Sequence, residues 1–431
     1  MPTAVRKIAA LLAIVVLSCS LLWAQASSKF KPEDVGFSTE RLQRIHETVQ
    51  REVDNGTIPG AVTFVSRKGH TVFFEAQGFM DPVAKKPMQK DSIYWIASMS
   101  KPVTAVAILM LMEEGKLRLS DPASRFIPEL KVMNVVRVAK PSVASPSSET
   151  GAGPVNGQTA AAISYDLVPA QHEITIRDLI THTSGLVTIG VKNDAVPDIA
   201  PTDTLASWIP KLASVPLDFQ PGTKWAYSNA VGFDVLSRIV EVASAEPFDQ
   251  FLKERIFEPL GMKDTGFGTT GPRVGPLLRR TPNGFLLAPA ATDPRIVGKG
   301  FFSGAAGMYS TAEDYGRFAE MLMNGGERNG KRLLSPNTIQ LMSENHVGDM
   351  FPGMGNIPMR GIGFGLGVIV VRDAVAADLR VPLGSFGWDG IGTFRFWVSP
   401  KEKLVIVMII PQNGGAVHRD IENAVMQSLV Q

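Results

Sequence analysis

Cysteine is nearly absent: among 431 residues there is only Cys19. It falls in an N-terminal stretch that reads as a removable signal peptide over residues 1–26. Arg6-Lys7 form its basic start, Ile8 to Trp23 its apolar core, and Ala24-Gln25-Ala26 a small-x-small cleavage site. A retained membrane anchor is the rival reading of this run. Lipid attachment at Cys19 fits poorly, because apolar residues continue past it. Cleavage leaves a mature chain, exported to the periplasm or secreted, with no disulfide, thiol nucleophile or thiolate metal ligand. An excess of charge is missing too. The formal +2 is carried by the leader, so the remainder is balanced, which excludes a nucleic acid and an anionic membrane as partners after cleavage. The six histidines are scattered without H-x-H or H-E-x-x-H spacing, so no metal site is expected. No G-x-S-x-G elbow occurs either, which leaves His182 with Asp178 as a weak candidate for a Ser-His-Asp arrangement.

What is present centres on Tyr94-Trp95-Ile96-Ala97-Ser98-Met99-Ser100-Lys101-Pro102-Val103-Thr104. Polar turn formers precede it, and Val103 to Met112 is apolar nearly all round, the pattern of a helix buried on every side. Pro102 is tolerated in a first turn, where its missing N–H is not needed. Ser98 therefore lies at the helix N-terminus, with Lys101 on the same face. Ser28-x-x-Lys31 has the same spacing, but its surroundings are those of a loose chain end. Serine needs a base to take its proton as it attacks an acyl carbon. Lysine, at a pKa of about 10.4 in water, serves only where burial destabilises the ammonium. The apolar neighbours of Lys101 supply that burial.

Along the chain, Ser38 caps an amphipathic helix carrying Leu42, Ile45, Val49 and Val53, and Ala61–Ser66 with Thr71–Ala76 form a hairpin through Lys68-Gly69. Residues from about 139 to 170 are rich in Pro, Ser, Ala and Gly and read as a long surface loop. Helices are expected over 174–186, from Thr204 towards Ala213 behind an Asp203 cap with Pro210 kinking or interrupting it, over 232–245 and over 248–256. Strands return at 362–371, 394–398 and 404–410, followed by a C-terminal helix on Val417, Ile421, Val425 and Leu429. The fold class is α+β. A mainly antiparallel sheet is built from both chain ends (about 27–120 and 300–431) and flanked by helices, with a mostly helical lobe inserted over about 121–299.

Two further segments carry candidate chemistry. Of five tyrosines, only Tyr227 opens a Tyr-x-Asn, Tyr227-Ser228-Asn229, on a short connection after the Pro221-Gly222 turn. Tyr227 is placed to relay protons and Asn229 to hold a substrate carbonyl or amide. The run Ser385-Phe386-Gly387-Trp388-Asp389-Gly390-Ile391-Gly392-Thr393 enters a strand, and its glycines allow close approach of a ligand to backbone N–H groups that, with that of Ser98, would cradle an oxyanion.

Together these segments, with ITIRDLITHTSGL at 174–186, IFEPLGMKDTGF at 256–267 and the loop from Phe302 to Thr311, resemble the serine β-lactamase and penicillin-binding-protein superfamily, in its class C β-lactamase and family VIII carboxylesterase branch. The resemblance runs over nearly all of residues 27–431 and implies a β-lactamase/transpeptidase-like fold. By it, Ser98 is the nucleophile, Lys101 its base and Tyr227 the group that assists acylation, protonates the leaving group and activates water. Asn229 lines the acyl side. Trp388-Asp389-Gly390 replaces the family's Lys-Thr-Gly, and the Ile391 N–H completes the oxyanion hole. Trp388 lacks the cation that would hold a β-lactam carboxylate, and favours an uncharged apolar group. The expectation is a cofactor-free serine hydrolase of small-molecule esters or amides, most simply a carboxylesterase. The alternatives are a β-lactamase, D-aminopeptidase or D,D-peptidase, and a non-catalytic peptidoglycan-binding or sensor domain. The oligomeric state is not legible.

Overall fold

The computed structural model describes residues 30–138, 165–188, 195–354, 357–391, 394–412 and 416–431; the stretch read as a signal peptide lies outside them. An eight-stranded antiparallel sheet forms the centre. Its strands are β1 (Gly60–Arg67), β2 (His70–Asp81), β3 (Lys86–Pro87), β4 (Ile362–Phe364), β5 (Ile369–Val371), β6 (Phe386–Gly390), β7 (Phe394–Ser399) and β8 (Leu404–Ile409), in the spatial order β4-β5-β6-β7-β8-β1-β2-β3. The β1–β2 hairpin turns through Lys68 and Gly69, both at positive φ, as the sequence indicates. The two chain ends meet where β1 pairs with β8, Val62 opposite Ile409 and Arg67 opposite Leu404. Both of these strands are buried along their whole length, because helices cover the sheet on both faces.

On one face lie α1 (Thr39–Asp54), capped by Ser38 Oγ accepting from Arg41 N at 3.2 Å, and the C-terminal α5 (Val417–Ser428). On the other lie α2 (Ser100–Glu113) and α4 (Ala312–Met323), whose Gly316 lets the Phe64 ring of β1 approach the helix backbone. The helix α3 (Val231–Ser244) packs on α2. From Ile96 to Leu111 every residue but Ser98 is buried, as a helix with apolar residues all round requires.

Several local expectations are corrected. Asp203 is not a cap: Thr204 Oγ1 accepts from Ser207 N, while Asp203 pairs with Lys211. Pro210 does interrupt this helix, as expected of a proline there: the α-helix ends at Trp208 and a 3-10 stretch, Ile209–Ser214, follows. The helix at Phe248 runs to Leu260 through a π-turn at Lys253–Phe257. The 362–371 strand is a hairpin, β4 and β5, split where Gly367 takes φ 77°. Of the loop expected over 139–170, residues 139–164 lie outside the described residues. Tyr165–Pro169 is a strand, paired with Asn134–Val138. A further hairpin, Leu278–Thr281 with Gly284–Leu287, interrupts the helical middle of the chain.

Candidate active site

Ser98 sits on a sharp bend. Ala97 is left-handed at φ 48°, a conformation costing an L-residue on the order of 1 kcal/mol, and opens the 3-10 turn Ala97–Met99 ahead of α2. The bend is stapled: Ser100 Oγ donates to Ala97 O at 2.7 Å and accepts from Met308 N at 3.2 Å, and Tyr315 Oη donates to Met99 O at 2.8 Å. The result is a serine hydroxyl raised out of an otherwise buried helix entrance.

Lys101, 1 % exposed, reaches back to this hydroxyl, with Nζ 3.1 Å from Ser98 Oγ and donating to Ala305 O at 3.0 Å. Burial lowers its pKa to about 7, against a smaller opposing pull from the charge of Asp234. Near neutral pH the amine is thus neutral for much of the time, and a neutral amine at this distance is chemically able to accept a proton from a hydroxyl. Tyr227 closes the arrangement, its Oη 2.7 Å from Ser98 Oγ. Burial raises the phenol's pKa, and the Ser98 hydrogen bond only partly offsets this. It is therefore a protonated donor in the resting site. Both ring and amine are tied to the same oxygen, with Lys101 Nζ 4.9 Å from the Tyr227 ring centre.

The Tyr227 loop is held from below by His182. Its Nδ1 accepts from Ser228 N at 3.3 Å and pairs with Ser228 Oγ at 2.9 Å, which puts the ring proton on Nε2. Burial and the neighbouring Lys101 push the His182 pKa well down, keeping the imidazole neutral. The Ser-His-Asp alternative is corrected here: His182 faces Ser228, whereas Asp178 accepts from Thr175 and Thr183. Around Tyr227 the rings of His182, Trp225, Phe364 and Trp388 form an aromatic wall, with Trp388 at 5.7 Å and His182 at 4.7 Å between centroids. The Trp388 indole N–H has no hydrogen bond of standard geometry among the described residues, yet lies close enough to favour the ionised Tyr227.

Of the remaining sequence candidates, Trp388 stands in the aromatic wall and Gly390 lies against the bend. Gly390 ends β6 against the bend: a Cβ there would stand 2.6 Å from Ile96 O, so only glycine permits the approach. Ile391 follows directly and is 69 % exposed. Asn229 is exposed and left-handed at φ 51°, and its side chain makes no hydrogen bond among the described residues.

A further network went unread in the sequence. Asp234 of α3, fully buried, accepts from Arg295 Nε at 3.0 Å and Ser303 Oγ at 2.5 Å, and so fixes the loop whose Ala305 carbonyl holds Lys101. Gly304 in that loop has no room for a Cβ between Ser237 and Thr104. The one available signal was an acid on the otherwise apolar face of Val231–Ser244. Among the described residues no group of three or more His, Cys, Asp or Glu is placed to hold a metal ion.

Comparison with known proteins gives a consistent result. The family model described as Beta-lactamase matches residues 45–431. Protein Rv1367c of Mycobacterium tuberculosis is 34% identical over 374 residues, covering 84% of this chain and 88% of that one. Esterase EstB of Burkholderia gladioli is 28% identical, with 87% and 91% covered. Among solved structures, "EstCE1, a hydrolase with promiscuous acyltransferase activity" superposes with a TM-score of 0.72 at 26% identity, covering 90% of this chain and 99% of that one.

Proposed function

Since the chain belongs to the Beta-lactamase family, we propose that this β-lactamase-fold hydrolase is a carboxylesterase working through an acyl-enzyme on Ser98. The observation that carries the reading is the continuous contact Tyr227 Oη–Ser98 Oγ–Lys101 Nζ, at 2.7 and 3.1 Å, around an amine whose neutral, proton-accepting form burial favours. In acylation, Lys101 takes the Ser98 proton as Oγ attacks the ester carbon. The N–H groups of Ser98 and Ile391 stabilise the oxyanion, and the proton passes through Tyr227 to the departing alkoxide. Water then repeats the sequence in reverse and releases the acid. Asn229 lines the acyl side.

Two features favour esters over β-lactams. The aromatic wall suits an uncharged apolar group, and Trp388, which by the sequence resemblance takes the place of the family's lysine, offers a carboxylate no cation. The relatives named as esterases agree with this preference. The leader is proposed to deliver the mature chain out of the cytoplasm. Turnover of p-nitrophenyl butyrate with a nearly silent chromogenic cephalosporin is the expected profile. The opposite profile would establish the β-lactamase reading, release of D-alanine from a D-Ala-D-Ala peptide the peptidase reading, and silence on all three a non-catalytic binding domain.

A further inference from the structure

The sheet has a second face at the point where the candidate site touches it. In the β6–β7 pair, Trp388 lies opposite Phe396 and Asp389 opposite Arg395, so the pleat sends these two pairs to opposite faces. Trp388 faces Tyr227. Asp389 and Arg395 face the α5 layer, where Arg395 bonds both Asp389 oxygens at 2.5 and 2.6 Å and Glu422 Oε1 at 3.1 Å. Trp397, on the same face, donates to Glu422 at 2.8 Å.

A cavity of about 330 Å³ opens on this rear face, away from Ser98. Its apolar lining includes Met359, Ile362, Leu379 and Trp397, and its charged lining Arg395, Arg360, Arg419 and one acid, Asp378, with His418 beside them. The acids already bonded to Arg395 answer its charge. Arg360 and Arg419, both exposed, have no carboxylate or carbonyl partner for their guanidinium groups among the described residues. An apolar hollow with two uncommitted guanidinium groups at its mouth matches a molecule with a short hydrocarbon tail and an anionic head. A guanidinium fork binds a planar carboxylate through two parallel hydrogen bonds.

We propose that this rear cavity is a binding site for a small amphipathic carboxylate, its tail against Trp397 and Ile362 and its head between Arg360 and Arg419. The test is titration of the full mature protein with hexanoate, hexanol and inorganic phosphate, followed by calorimetry and tryptophan fluorescence. Hexanoate is expected to bind at least about tenfold more tightly than either hexanol or phosphate, since each control lacks one of the two features. The double variant Arg360→Gln/Arg419→Gln is expected to lose that preference by about tenfold or more, while its ester turnover stays at the parent level. Hexanoate also resembles an ester-hydrolysis product, so the titration is repeated on Ser98→Ala. Retained binding there, sensitive to the arginine pair, assigns it to the rear cavity whatever Ser98 does. Binding that the arginine double variant leaves unchanged, or hexanol binding as tightly as hexanoate, overturns the proposal.

Discussion

Lys101 is a cation-forming side chain placed where a cation is poorly solvated, and its protonation state governs the proposed chemistry. Only the neutral amine accepts a proton from Ser98, so kcat/KM for an ester should rise with pH along a limb centred at about 7. A pH–rate profile flat from 5 to 9 would remove Lys101 from the role of base. Ser98→Ala should lower turnover by at least about 10⁴-fold, with folding unchanged by circular dichroism, because it deletes the attacking atom from a partly exposed position. Tyr227→Phe keeps the ring in its aromatic wall and removes only the hydroxyl at 2.7 Å from Ser98 Oγ. It should cost about 10²–10⁴-fold in kcat, with KM little changed.

At the scale of elements, α3 and the 303–305 loop act as one unit that aims Lys101. Asp234 joins them, and its negative charge favours the ammonium form. Asp234→Asn should therefore move the acid limb of the pH–rate profile to lower pH. It should also destabilise the fold by roughly 3–5 kcal/mol, since Arg295 loses its buried partner. Chemical denaturation and the pH profile check the two effects separately, and an unmoved limb would show that Asp234 has no electrostatic influence on the amine. This network also marks what the sequence could not convey. Ser98, Lys101 and Tyr227 were legible because each sits in a short pattern whose neighbours already imply a bend or a buried helix. Asp234 draws its meaning from Arg295 and Ser303, which reach it only through tertiary packing. The β4–β5 hairpin was misread for a related reason. Strands buried on both faces show no alternation, and Gly365 and Gly367 were the only marks of the turn.

For the whole molecule, the buried amine ties stability to pH. The folded pKa of Lys101, about 7, lies below its unfolded value of 10.5, so between these two the unfolded chain binds the extra proton. Stability from this group therefore rises as pH climbs from about 7 towards 10.5, and its full penalty, on the order of 5 kcal/mol, stands below 7. Lys101→Met should abolish ester turnover yet raise the Tm at pH 6, with the gap narrowing by pH 9. A variant less stable than the parent at pH 6 would mean that the lost hydrogen bonds to Ser98 and Ala305 outweigh the relieved burial. The antiparallel seam between β1 and β8 carries a consequence of its own. Val62 must wait for Ile409, so during synthesis Ser98 emerges long before the sheet that fixes its surroundings can close. A nascent chain halted before β8 would carry Ser98 and Lys101 but not the finished scaffold, and topology alone would keep the hydrolase idle until translation is nearly done.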